Sequence, residues 1–164
     1  MADVEVRLGA VSERDAVALA EVVRELVAGG AALGWVEPPP VPEVVELLAG
    51  VTVLAVAFSG GEAIGFGYWR RYERPTHRLN ADIEKLAISP KFQGMGVGRA
   101  VMSALIAAAA SAGIEVLTLD LRGDNVGAVA LYESLGFRKY GVLERFVAVG
   151  SLRYDKLLYA RHLD

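Results

Sequence analysis

Apolar positions change their period several times along the chain, and each change marks an element. Residues 3–8 (DVEVRL) alternate apolar with charged side chains, the period-two pattern of a strand with one buried face. From Val17 onward Leu19, Ala20, Val23, Leu26 and Val27 recur at helical spacing. Ser12, three residues before Asp15, supplies a start signal, so a helix is predicted to about residue 28, ended by Gly29 and Gly30. Residues 31–42 hold four of the six prolines and read as a loop, with Pro42 suited to the first turn of a short helix through EVVELLAG.

From residue 51 the pattern turns β-rich. VTVLAVAF and AIGFGYWRRY flank Ser59-Gly60-Gly61-Glu62, which predicts a hairpin. Residues 70–78, with four arginines and Pro75, read as a loop, and 81–88 (ADIEKLAI) as a further strand broken by Ser89-Pro90. The Ala-rich run after the glycines at 94, 96 and 98 predicts a helix stopped by Gly113. A strand (IEVLTLDL), a polar turn (RGDN), a helix (VGAVALYESL) stopped by Gly136, and strands near 137–148 and 151–161 complete the chain. The predicted order, β-α-α-β-β-β-α-β-α-β-β, implies an α/β domain of the mixed, α+β kind: one sheet covered by helices, spanning residues 1–164.

Composition narrows the functional classes. At 164 residues and 54% hydrophobic, the chain suffices for one domain with a well-filled core and is no disordered tail. Seventeen basic against twenty acidic side chains leave a net charge of -3, which weighs against a general nucleic-acid binder. Cysteine is absent, so disulfides, thiolate metal sites and a cysteine nucleophile are excluded together. With only His77 and His162 as further nitrogen ligands no metal centre is expected, although carboxylates could still bind Mg²⁺. No apolar run approaches the ~18 residues of a membrane span, and MADVEVRLGA lacks a signal pattern; a cytoplasmic protein without a membrane partner is expected.

Candidate chemistry concentrates in Leu86-Ala87-Ile88-Ser89-Pro90-Lys91-Phe92-Gln93-Gly94-Met95-Gly96-Val97-Gly98-Arg99, where a strand ends and a helix begins. The first turn of a helix carries unpaired N–H groups and about half a positive charge, and glycines let a phosphate approach those groups closely. Two known phosphate loops fail here. Arg99-Ala100 does not supply the Lys-Ser/Thr of a P-loop, and counting from Gly94 the sixth place of a dinucleotide fingerprint is Arg99 rather than glycine. Glycines alone are equally compatible with a tight turn and close helix packing.

Two blocks carry a resemblance. Gln93-Gly94-Met95-Gly96-Val97-Gly98 after an L-A-I-S-P strand end resembles the acetyl-CoA-binding Q-x-x-G-x-G motif of the GNAT superfamily of N-acetyltransferases. Asn125 through Phe137 matches that superfamily's N-x-x-A-x-x-L-Y-E-x-x-G-F pattern at every named position. The similarity spans 82–137, about a third of the chain. It implies a mostly antiparallel sheet in which two strands splay apart to form a cleft for acetyl-CoA as co-substrate. Residues Gln93 to Arg99 would hold the diphosphate through backbone N–H groups. Leu86, Ala87 and Ile88 would pair with the pantetheine arm as an added strand does. Asn125 would reach the same arm, or else serve only as a helix cap. Ala128 would keep the helix surface low beneath the cofactor.

The same resemblance makes Tyr132 the catalytic acid. A phenol with pKa near ~10 stays protonated at neutral pH and can donate to a departing thiolate, whereas a tyrosine on an apolar helix face can equally be packing. Freeing a Lys-like ammonium of pKa ~10.4 at pH 7 costs roughly 4–5 kcal/mol, against about 1 for a peptide α-amine, so a general base is useful. Asp82, Glu84 and Leu86 are expected on one face of their strand by alternation. Glu84 ranks first as nearest the expected cleft, Asp82 second, and Asp120, twelve residues before Tyr132, third. A solvated strand residue, or a salt bridge to Arg122 or Lys85, is the plain alternative for each. His77 could be a base and the arginine-rich loop could close over the acceptor, but both read first as solvated surface. Trp35 and Pro38 to Pro40 would flank the acceptor pocket or merely pack their loop.

The expected activity is therefore direct acetyl transfer from acetyl-CoA to a primary amine, with a small molecule such as an amino acid or polyamine as acceptor. Protein N-terminal or lysine acetylation is the alternative within enzymes, and a non-catalytic acyl-CoA sensor the alternative outside them. Similar enzymes are often homodimers, which the resemblance allows here.

Overall fold

The computed structural model describes residues 3–163; the outermost residues of the expected domain, 1, 2 and 164, lie outside them. Seven strands and four helices follow in the predicted order: β1 (Val4–Leu8), α1 (Glu13–Ala28), α2 (Val41–Ala49), β2 (Val53–Ser59), β3 (Glu62–Arg71), β4 (Asn80–Ile88), α3 (Val97–Ser111), β5 (Val116–Arg122), α4 (Val126–Ser134), β6 (Arg138–Val149) and β7 (Leu152–His162). Local chemistry explains the boundaries. The Ser12 hydroxyl accepts from the Asp15 N–H and so caps α1, a contact worth about 1 kcal/mol. Pro42 sits in the first turn of α2, where its missing N–H costs nothing. Because β3 continues through Arg71, the first two arginines of the predicted loop belong to the strand.

The strands form one sheet in the order β1-β2-β3-β4-β5-β7-β6. All neighbours are antiparallel except β4 and β5, which pair in parallel over only three rungs, Asn80–Asp82 against Val116–Thr118. Helices cover both faces. On one, Leu19, Val23 and Leu26 of α1 and Val44 and Leu48 of α2 pack against Leu54, Val56, Phe66 and Tyr68. On the other, Val101, Met102 and Leu105 of α3 and Tyr132 of α4 pack against Ala55, Trp69, Ile83 and Leu119. Gly67 lets α3 lie close, since a Cβ there would sit 3.0 Å from Val101 and Leu105. The buried Trp69 indole N–H donates to the Leu105 carbonyl at 3.0 Å and fastens α3 to the sheet.

One irregularity decides the site. Tyr68 pairs with Lys85 but Trp69 with Ile83, so Glu84 is an extra residue on β4, a β-bulge. The expected alternation of Asp82, Glu84 and Leu86 onto one face does not hold, because an added residue reverses the phase of everything beyond it. Ala81 and Ile83 belong to the α3/α4 core. After the bulge it is Leu86 and Ile88 that pack on that side, while Ala87 joins the α1/α2 core. A bulge also bends its strand. Beyond Asp82 the two parallel strands share no rungs, although β4 still pairs with β3 to Ile88 and β5 with β7 to Arg122.

Candidate active site

The sheet is thus open between β4 and β5, and a cavity of about 940 Å³ occupies the gap. Its walls come from both faces. Gln93, Gly94, Gly96 to Arg99, Asn125, Ala128, Leu131 and Tyr132 line it on the α3/α4 side. Leu26, residues 31–36, Glu84, Lys85, Asp120 and Lys156 line it on the α1/α2 side, with Phe146 to Val149 of β6 completing that wall. A passage therefore runs through the sheet, at the upper end of the roughly 300–1,000 Å³ typical of small-ligand sites.

On the α3/α4 side the glycine loop has the properties of an anion site. Among the described residues none of the N–H groups of residues 94–99 donates to a backbone carbonyl, while Ala100, the next residue, bonds back to Gly96. Gly94 and Gly96 have φ of +78° and +82°, a left-handed conformation that costs other residues about 1–2 kcal/mol. A Cβ at either would project into open space rather than into the protein. Six free amides at a helix start suit a phosphate or diphosphate. The Arg99 guanidinium, held to the Ser134 hydroxyl at 2.6 Å, adds positive charge nearby. The residues present therefore fit the diphosphate of coenzyme A. Beyond Asp82 the β5-facing edge of β4 pairs with no strand, as a strand-like ligand requires, although the Gln93 side-chain amide donates to the Ile88 carbonyl at 3.3 Å.

Of the residues expected to hold the cofactor, all but Ala87 and Met95 line the cavity. The Ala87 side chain is turned into the opposite core, and Met95 is exposed beside the loop. Asn125 does act as the cap: its side-chain oxygen accepts from the Ala128 N–H at 3.2 Å, leaving the amide NH2 at the cavity wall.

Tyr132 is 8% exposed, its ring edge-on to Phe137 at 6.0 Å, and burial pushes its phenol up to about 12. The hydroxyl has no hydrogen-bond partner among the described residues and is not sealed in, so it opens on the cavity. Glu84 and Asp120 line the same cavity; Asp82 does not. Asp82 lies on the last rung before the strands part, opposite Thr118, whose hydroxyl donates to it at 2.6 Å. Since a threonine hydroxyl has one proton, the Tyr72 phenol 2.6 Å away donates in turn to Thr118. Burial chiefly, then the charges of Asp120 and Glu84, raise the Asp82 carboxyl to about 6 against the pull of the Thr118 hydrogen bond. The ion pairs are not those anticipated. Glu84 meets Arg70 at 2.9 Å and Asp120 meets Lys156 at 3.5 Å, while Arg122 is taken by Asp124.

Trp35 lines the cavity but Pro38 to Pro40 do not, and neither histidine nor the arginine-rich loop reaches it. Sequence reasoning missed Lys85, Lys156 and Phe146 as wall residues. Lys85 carries a signal only once the bulge is known, and nothing local marks the other two. Among the described residues no group of three His, Asp or Glu side chains could hold a metal ion, and no helix is long and apolar enough to cross a membrane.

The model of the acetyltransferase (GNAT) family matches residues 30–137, which include the glycine loop and Tyr132. The chain belongs to that family. It is accordingly an acyltransferase of the N-acetyltransferase type. It is similar to N-alpha-acetyltransferase RimI of Mycobacterium tuberculosis, 32% identical over 144 residues, covering 88% of this chain and 85% of the relative. Solved structures support the fold. A phosphinothricin acetyltransferase of the superfamily from Sinorhizobium meliloti, in complex with acetyl-CoA, is 23% identical with a TM-score of 0.84, covering 96% of this chain and 88% of that one. The ribosomal-protein-S18-alanine N-acetyltransferase of Escherichia coli is 21% identical with a TM-score of 0.77, covering 98% and 95%.

Proposed function

We propose that this chain transfers the acetyl group of acetyl-CoA directly to the primary amine of a small molecule. The observation that carries the reading is the passage through the sheet, with free amides at one mouth and carboxylates at the other. Acetyl-CoA would place its diphosphate on the amides of Gly94 to Arg99 and its arm along the open edge of β4. The thioester would then stand in the gap beside Tyr132, and the acceptor would enter from the α1/α2 side.

The amine nitrogen forms a bond to the thioester carbon, and the C–S bond breaks. Glu84 receives the amine proton, directly or through one water, with Asp120 as the other carboxylate at that mouth. Asp82, one step behind the wall, raises the negative potential there and so favours a cationic acceptor. Burial raises the Tyr132 phenol further above the ordinary thiol value near ~8.5, which favours its keeping the proton. Tyr132 therefore stabilises the leaving sulfur by a hydrogen bond, and final protonation comes from water. A chain without cysteine has no thiol for an acyl-enzyme relay, in keeping with direct transfer.

Walls on two sides of the acceptor mouth, residues 31–36 and Phe146 to Val149, favour a small acceptor over a protein. The similarity to an N-alpha-acetyltransferase over 85% of that relative's length favours a second reading, a protein α-amine. Release of free thiol from acetyl-CoA, followed with pools of amino acids, polyamines and short peptides, tests both. Turnover with amino acids or polyamines is expected. Turnover with peptides alone would select the second reading, and binding of acetyl-CoA without turnover in any pool would leave a sensor.

A further inference from the structure

Resting on the acetyl-transfer reading, we infer that the acceptor is a free α-amino acid whose carboxylate is bound by Lys85, beside the carboxylates that receive its amine. The β4 bulge places this pair of opposite charges. An extra residue turns two consecutive side chains toward the same face, so Glu84 and Lys85 both meet the cavity from the α1/α2 side. Glu84 and Asp120, each with one cationic neighbour and oxygens to spare, then suit an ammonium, and Lys85 suits an anion next to it.

Lys85 stands apart from the other cations near that mouth. Arg122 is occupied by Asp124 and by the Gly30 carbonyl, Lys156 lies 3.5 Å from Asp120, and Arg70 is paired with Glu84. Lys85 has no carboxylate within ion-pair distance among the described residues. Its ammonium donates to the Leu33 carbonyl at 2.8 Å and lies 4.7 Å from the centre of the Trp35 ring. One of three N–H donors is thereby used, leaving two for a ligand. Burial lowers the Lys85 pKa, and an arriving carboxylate offsets that penalty as an internal partner would. A polyamine would instead bring a second ammonium against Lys85, where like charges repel.

The deciding comparison is kcat/KM of the wild-type protein for the twenty amino acids, their amides and their decarboxylated amines, read as thiol release. Amides of the α-amine kind deprotonate near ~7.7–8.0, more easily than a free amino acid, so amine acidity cannot favour the acid over its amide. A preference for acid over amide of about 10- to 100-fold is expected, the size of a charge-assisted hydrogen bond. In Lys85→Met that ratio should fall toward one through a raised KM for the acid. Amides or simple amines used as well as the acids by the wild type, or an unchanged ratio in Lys85→Met, would overturn the assignment and leave Lys85 as a clasp for the loop. Acetylation of amines lacking a carboxylate sinks only this inference. If acetyl-CoA is bound and no amine of any kind is acetylated, the transfer reading fails and the inference falls with it.

Discussion

The α3/α4 mouth of the cavity is built mainly from two contiguous stretches, 86–99 and 125–132, whereas the α1/α2 mouth gathers Trp35, Glu84, Lys85, Asp120 and Phe146 from four. On the proposed reading the first mouth would work largely through backbone: six amides and a strand edge that pairs with no other strand. The second would work through side chains whose directions depend on a bulge and on ion pairs between distant strands. A task common to many acetyl-transferring chains can be met by a short motif, while selection among acceptors needs side chains that each sequence can vary separately. Fold and donor chemistry are for this reason more widely shared than acceptor choice.

The largest effect expected is at the junction of the two mouths. Tyr132→Phe should lower kcat by ~10²-fold or more while changing the Kd for acetyl-CoA by less than about twofold, if, as proposed, the hydroxyl serves only the leaving sulfur. Steady-state kinetics beside calorimetric titration checks this, and an unaltered kcat would remove Tyr132 from the chemistry. On the donor side, Gly96→Val should weaken acetyl-CoA binding by about 10- to 100-fold, because a β-branched residue is strained at φ +82° and fills the approach to the amides. An unchanged Kd would separate the loop from the diphosphate.

The smallest effect concerns stability at the point where the strands part. A carboxyl raised to about 6 in the fold from 3.8 holds its proton more tightly when native, so folding stability contributed below pH 4 is lost as pH rises through 6. The rise corresponds to about 3 kcal/mol unscreened and nearer 1–2 with the solvent that still reaches the group. Asp82→Asn lacks that titration. Denaturant unfolding should therefore show the variant gaining about 1–2 kcal/mol on the wild type between pH 4 and pH 7. Parallel pH profiles would mean that Asp82 is better solvated than its position implies.

Much of the fold was legible because its signals are local. The Ser12 cap, the Gly60-Gly61 turn and the helix-ending glycines at 113 and 136 each act within a few residues, and all the predicted strands and helices are present. The glycine turn between β4 and α3, where a phosphate-binding loop is expected, was legible for the same reason. The side-chain arrangement beyond Ile83 was not, because one inserted residue changes which face every later side chain takes without altering the strand's composition. The partners of Glu84 and Asp120 were equally hidden. Arg70 and Lys156 come into reach only through the pairing of β3 with β4 and of β5 with β7, which no local spacing encodes.

The central claim is that the opening between β4 and β5 carries the thioester through the sheet to the acceptor side. A crystal structure with coenzyme A bound tests it most directly. The account predicts the diphosphate on the N–H groups of residues 94–99, the arm against the free edge of β4, and the sulfur within hydrogen-bonding reach of the Tyr132 hydroxyl. A diphosphate seated away from that loop, or a sulfur stopping short of the opening with the strands closed in front of it, would contradict it.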